Sequence, residues 1–218
     1  MFDVFTLPNW RIGRSKIPED IYNNIMSEIK EIQNCGSPNK WNKELAGAIE
    51  KEYLLIKSRS SLVSFLKDMA AKYVDCEIKN LSEYGLLPTP DDARRSETKA
   101  EFEVLQIWVN YQQKNEYNPI HNHGGDFSFV LWMEIPFKHS DECKVKNVVN
   151  SNSSQNASNF EFIYNDILGK INTYSFPVES GWEGRIIMFP AKLLHIVYPF
   201  QTSDGYRISI SGNLNRVN

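Results

Sequence analysis

The sequence predicts a mainly β fold with N-terminal helices: a jelly roll buttressed by helices. Three observations predict it. Helical periodicity runs through about residues 1–100 and then stops. From Phe102 onward the apolar residues recur at every second position instead. About seven such short runs follow one another, separated by turn residues, which is the pattern of a β roll rather than of a parallel sheet.

The elements follow in chain order. Pro18 opens a helix with Ile21, Ile25, Ile29 and Ile32 on one stripe, and Gly36 stands where a C-terminal cap belongs. Asn42 is placed to cap a short helix carrying Leu45 and Ile49. Ser60 or Ser61 begins a longer helix whose apolar face is Leu62, Leu66, Met69, Tyr73 and Cys76, a stripe that needs a flat surface to cover it. Leu87 to Lys99, with two prolines and six charged residues, reads as a connection. Strands are expected from Val104 to Gln112, Asp126 to Ile135, Phe160 to Tyr164, Asn172 to Phe176, Arg185 to Phe189, His195 to Pro199 and Arg207 to Asn213. Residues 138–159 are polar and rich in Asn and Ser, and are expected to form a flexible insertion. The whole chain, 1–218, is expected to be one domain, with a helical part over about 1–100 and a roll core over about 102–214.

Composition narrows the function. At 218 residues the chain can bury a large core without a disulfide or a structural metal. Its three cysteines, Cys35, Cys76 and Cys143, form no metal or disulfide pattern. The net charge is -3, which argues against duplex nucleic acid as a partner. No run reaches the ~18 apolar residues of a membrane span, and the first residues lack the basic start of a signal peptide. The expected location is the cytoplasm, or the host cytoplasm for a viral protein.

Chemistry concentrates in the histidines. The chain has four, and His121 and His123 are two apart, so an extended backbone projects both to one side. His195 lies at the start of a later strand. Three imidazoles converging from two segments would cap a transition metal and leave positions open for substrates. A His-x-His pair can also be a plain surface or hydrogen-bonding pair, and its neighbours bear on the choice. In Arg207-Ile-Ser-Ile-Ser211, period two puts Arg207, Ser209 and Ser211 on one face and the isoleucines on the other. An arginine with a hydroxyl two residues on suits the far carboxylate of a small diacid; pairing with a surface carboxylate is the alternative. Trp108, Asn110 and Gln112 share another strand face. Asn110 could donate to an acid near the metal or simply satisfy a strand edge. Trp108 and Trp132 read as core, and Tyr111 faces the opposite side.

The runs Trp108-Val-Asn-Tyr-Gln, Asn118-Pro-Ile-His121-Asn-His123-Gly-Gly-Asp126-Phe-Ser-Phe and Gly184-Arg-Ile-Ile-Met-Phe-Pro-Ala-Lys-Leu-Leu-His195, with Arg207-Ile-Ser-Ile-Ser-Gly-Asn213, resemble 2-oxoglutarate/Fe(II) oxygenases common in tailed bacteriophages. More distantly they are similar to prolyl hydroxylases of the double-stranded β-helix fold. The resemblance covers about residues 102 to 214. It implies Fe(II), 2-oxoglutarate and dioxygen, release of succinate and CO2, and hydroxylation of a C–H bond on a small-molecule or protein substrate. It implies that His121 and His195 hold the metal and that Arg207 with Ser209 holds the far carboxylate of the cosubstrate. Asn110, and after it Gln112, would touch the end near the metal. The wider superfamily has Asp or Glu where this chain has His123. Asp126 is the alternative carboxylate, as a ligand or as an acceptor for an imidazole N–H, but the two-residue spacing ranks His123 first.

Two other readings compete. A cupin-like metalloenzyme would use three histidines without 2-oxoglutarate, yet has no need of Arg207. A non-catalytic binding or structural jelly roll would leave the clustering of histidines without a purpose.

Overall fold

The computed structural model describes residues 11–35, 40–41, 47–83, 100–145 and 156–217. Along them run β1 (Gly13–Lys16), α1 (Glu19–Cys35), β2 (Lys51–Leu54), α2 (Arg59–Glu83), β3 (Phe102–Gln112), β4 (Asn118–His121) and β5 (Phe127–Glu134). A short α3 (His139–Glu142) follows, then β6 (Phe160–Asn165), β7 (Ile171–Phe176), β8 (Arg185–Pro190), β9 (Leu194–Val197) and β10 (Arg207–Arg216). The strands form a six-stranded sheet in the order β1-β8-β5-β10-β3-β2 and a four-stranded sheet in the order β4-β9-β6-β7. Every pair is antiparallel. From β3 to β10 the chain passes repeatedly from one antiparallel sheet to the other, which is the jelly roll, here in its double-stranded β-helix form.

Alternation within the strands builds two separate cores. On β5, Phe129, Leu131 and Met133 face the helices, while Val130 and Trp132 face the other sheet. The helix-side core sets Ile21, Ile25 and Ile29 of α1 and Leu62, Leu66 and Ala70 of α2 against Ile107, Val109, Ile208 and Ile210. Each fully buried Leu or Ile there stabilises by about 1.5–3 kcal/mol, so the helices close one face of the large sheet. The core between the sheets is aromatic, with Phe160, Phe162, Phe189 and Trp132 at its centre. Close approach decides one position on β10: a Cβ on Gly212 would lie 2.5 Å from the Gln106 carbonyl oxygen and 2.8 Å from the Phe129 ring.

The N-terminal part departs from the all-helical expectation. β1 and β2 extend the large sheet at its two edges, β1 on β8 and β2 on β3. Ile49 lies in extended chain leading into β2 rather than on a helix, and Asn42 and Leu45 fall outside the described residues. Four-residue strands are too short to display a period, so nothing local marked them. Cys76 is exposed, although the stripe placed it on the apolar face of α2. Of the polar insertion over 138–159, residues 146–155 lie outside the described residues. Its start is anchored: Glu142 is fully buried and accepts hydrogen bonds from the Gln201 and Thr202 amides at 2.7 and 2.9 Å. The expected connection over 87–99 also lies outside the described residues.

Candidate metal centre and cosubstrate pocket

Register brings the first two histidines together. His121, the last residue of β4, is the direct antiparallel partner of His195 on β9, and opposed residues project to the same face. His123 lies just beyond the strand, in the turn before β5. Its amide donates to the Ala191 carbonyl at 2.8 Å, which folds that turn back over the β8–β9 connection. The three imidazoles therefore converge, with ring centroids 4.2 Å apart for His121 and His195 and 5.0 Å for each pair that includes His123. One ligating nitrogen from each lies within 4.8 Å of the other two.

Hydrogen bonding selects the tautomer. His121 Nδ1 lies 2.6 Å from the Pro119 carbonyl, and His195 Nδ1 lies 3.0 Å from the Leu193 carbonyl. A carbonyl only accepts, so each Nδ1 carries the proton and each Nε2 keeps its lone pair for a metal. The Nε2 atoms of His123 and His195 are 3.2 Å apart. Two nitrogens at right angles, each ~2.1 Å from one ion, would be separated by ~3.0 Å, so the spacing fits a facial site. Burial keeps the rings neutral. It pushes His195 down to about 3, with His121 adding repulsion, and His123 down to about 4 for the same two reasons. His121 is lowered by burial as well. Phe160 stacks on His195 at 5.3 Å and Phe189 meets it edge-on at 5.1 Å, which holds the ring in place. Asp126, the alternative carboxylate, is exposed and accepts the Arg216 amide at 2.7 Å, outside the cluster.

The histidines open into a cavity of about 490 Å³ between the sheets, with Arg207, Ser209, Asn110, Gln112 and Trp108 on its walls. Arg207 is 2% exposed. Its Nε and Nη2 donate to Gln112 Oε1 at 2.9 and 2.7 Å, Nη2 also to the Tyr198 carbonyl at 2.7 Å, and Nη1 to the Ser158 carbonyl at 2.5 Å. Phe137 and Phe200 flank the guanidinium, each 5.7 Å away. All these acceptors are neutral. Among the described residues no carboxylate forms an ion pair with it, and burial pulls its pKa down to about 9 against a weaker upward pull from Glu142. Neutral acceptors satisfy the hydrogen bonds of a buried cation without balancing its charge.

Among the described residues four of its five N–H donors are used, which leaves one on Nη1. Ser209 lies on the same cavity wall as this guanidinium. Ser209 Oγ accepts from Asn110 Nδ2 at 3.2 Å, so its own proton is available. Asn110 Nδ2 also donates to Ser211 Oγ at 3.2 Å, and Asn110 Oδ1 is buried with no partner among the described residues. Gln112 lines the cavity too; its Oε1 accepts from Arg207 and its Nε2 donates to the Glu116 carbonyl. Trp108 and Trp132, read as core, are buried but also line the cavity. Tyr111 faces the helices and donates to the Ile29 carbonyl, as its strand position requires.

The cavity also contains residues that the sequence reading did not select. Glu52 on β2, Trp41 and Asn118 form part of its wall. For Glu52 the local signal is the Lys51-Glu-Tyr-Leu54 alternation, which spans too few residues to stand out, while Asn118 opens the run that leads to His121.

Residues 106–213 match the family described as "Putative 2OG-Fe(II) oxygenase". These residues form a 2OG-Fe(II) oxygenase domain. The enzyme is accordingly an Fe(II)- and 2-oxoglutarate-dependent dioxygenase, and the readings without 2-oxoglutarate are set aside. Solved structures agree on the fold. A prolyl-4-hydroxylase from Pseudomonas putida is similar with a TM-score of 0.53 at 11% identity, covering 96% of this chain and 94% of its own. AviO1 from Streptomyces viridochromogenes Tue57 is similar with a TM-score of 0.50 at 11% identity, covering 94% and 90%. No protein of curated function matches the chain by sequence. Among the described residues no helix is long and apolar enough to cross a membrane.

Proposed function

We propose that the oxygenase is a hydroxylase whose iron is held by His121, His123 and His195 and whose 2-oxoglutarate is anchored through its far carboxylate by Arg207 and Ser209. The observation that carries this reading is Arg207: a buried cation, facing the same cavity as the three imidazoles, whose hydrogen-bond acceptors among the described residues are all neutral. The iron, when bound, supplies the dioxygen chemistry that turns 2-oxoglutarate into succinate and CO2 and places the second oxygen atom in a C–H bond of the substrate.

The residues of the chain do the rest. His121 and His195 present Nε2 because their Nδ1 protons are committed to backbone carbonyls. Gln112 orients Arg207, fixing the guanidinium plane from which the remaining Nη1 proton reaches an incoming carboxylate. Asn110 orients Ser209 and offers Oδ1 to the cavity. The Phe160, Phe162 and Phe189 wall excludes water from the His195 imidazole. Three neutral ligands leave the metal's charge to be balanced by the dicarboxylate, so this reading makes metal and cosubstrate bind with mutual support.

The test is uncoupled succinate formation with Fe(II), dioxygen and 2-oxoglutarate, which needs no primary substrate. Wild type should form succinate and His195→Ala should not. A wild-type protein that neither binds 2-oxoglutarate nor forms succinate rejects the assignment.

A further inference from the structure

The cavity-facing side chains of β10 and β3 form a ladder whose order is fixed by register. Arg207 opposes Gln112, Ser209 opposes Asn110, and Ser211 opposes Trp108. The pairing then slips between Gly212 and Leu214, so that Asn213 faces Leu105 and Gln106, and of these two Gln106 lines the cavity with it. Successive rungs are two residues apart, about 7 Å along the strand. His123 meets the ladder at the third rung, where its ring lies 5.9 Å from that of Trp108. The turn after His123 docks on the end of β10, with the Asp126 amide donating to the Leu214 carbonyl at 2.9 Å. The order along the ladder is thus Arg207, then His123, then Asn213. About 20 Å of strand separates Arg207 from Asn213, and the guanidinium turns across to Ser158 and Tyr198 rather than along it. A small diacid held by Arg207 and reaching the histidines stops short of the last rung.

That last rung is neutral and open. Asn213 Oδ1 accepts from the buried Ser128 hydroxyl at 2.7 Å, which leaves Nδ2 as the group it offers, a donor. Gln106 brings a donor and an acceptor, and it is exposed at the rim, as are Asn122 and Gly124 on the segment that carries His123. Among the described residues no charged side chain lines this rung: the charged members of the wall are Arg207 on the first and Glu52, whose strand partner is Asn110, beside the second. An ionic group brought to Asn213 would lose its water without meeting a counter-charge. A secondary amide fits instead, because its carbonyl accepts, its N–H donates and it carries no charge. The exposed rim lets the remainder of a long substrate run on into solvent.

We propose that the Asn213–Gln106 rung is the primary-substrate subsite and that it takes an uncharged secondary amide, the backbone of a peptide, with Asn213 Nδ2 donating to the carbonyl and Gln106 Oε1 accepting from the N–H. The assignment rests on the oxygenase reading for the word substrate, but not for the binding. An amide held there sets the adjoining part of the peptide against Trp108 and the imidazole of His123, one rung away.

Calorimetry on the full chain, loaded anaerobically with Fe(II) and 2-oxoglutarate, tests this with the N-acetyl N-methylamides of alanine, leucine, asparagine and phenylalanine as probes. The corresponding free amino acids, which are zwitterions, are the controls. At least one blocked amide should bind, its free amino acid about tenfold or more weaker, and Gln106→Leu should weaken the probe by a similar factor with 2-oxoglutarate affinity unchanged. Asn213→Leu combined with Ser128→Ala, which removes both partners of the buried hydrogen bond rather than orphaning one, should do the same. Wild type that binds 2-oxoglutarate but none of the blocked amides overturns the subsite, as does a probe that binds both variants as well as wild type. An Asn213 variant that loses 2-oxoglutarate affinity as much as probe affinity assigns Asn213 to the cosubstrate and overturns the subsite too. A chain that binds no 2-oxoglutarate yet binds a blocked amide through Gln106 and Asn213 rejects the oxygenase assignment and keeps the subsite.

Discussion

Replacing Arg207 by Met removes the charge while filling most of the slot between Phe137 and Phe200. Two effects follow and can be separated. The first is on stability: Gln112 Oε1 and the carbonyls of Ser158 and Tyr198 lose their donor. Orphaned buried acceptors cost about 1–3 kcal/mol each, offset in part because the cation no longer has to be desolvated. The second is on binding. An anion that met a buried cation now meets a thioether, and truncating one partner of such a pair costs about 2–5 kcal/mol. At ~1.4 kcal/mol per decade, 2-oxoglutarate should bind about 30-fold or more weakly. Calorimetric titration of 2-oxoglutarate into Fe(II)-loaded protein reads the second effect, and thermal melting of the metal-free protein reads the first. Metal affinity should be unchanged, because Arg207 makes no contact with the histidines. A folded Arg207→Met protein that binds 2-oxoglutarate as tightly as wild type would refute the role given to this residue.

Three further outcomes are expected. His195→Ala should lose tight metal binding, read by metal content after dialysis, while still folding around its remaining core. Metal-free stability should fall with acid below pH 6.5: the folded pKa of His195 is depressed to about 3, so between 6.5 and 3 the unfolded chain binds a proton that the native state refuses. His195 alone contributes about 1 kcal/mol per pH unit in that window, and His195→Gln should flatten the melting-temperature profile between pH 6.5 and 5. Gly212→Ala should destabilise by about 1–3 kcal/mol through overpacking against Gln106 and Phe129, in a chemical-denaturation measurement, with metal stoichiometry retained in the folded fraction.

Much of the site was legible because it lies on long, regular strands. Period two alone separates Arg207, Ser209 and Ser211 from Ile208 and Ile210, and it separates Trp108, Asn110 and Gln112 from Val109 and Tyr111. The same rule divides β5 between the two cores, and the 3.6-residue period places Leu62, Leu66 and Tyr73 against the large sheet. These are properties of neighbouring residues, and local geometry carries them.

Other features depend on residues far apart in the chain, and packing settles them. That His121 opposes His195 is a matter of register between β4 and β9. His123 converges although it lies past the end of its strand, because an amide contact with Ala191 turns the backbone. Gln112 meets the guanidinium because Arg207 on the neighbouring strand reaches its amide oxygen. Glu52 joins the cavity because four residues of β2 add to the edge of β3, and a four-residue strand has no period to announce it. A local pattern says which face a side chain takes; which partner it meets there is set by register and sheet order, through contacts that no short stretch of sequence contains.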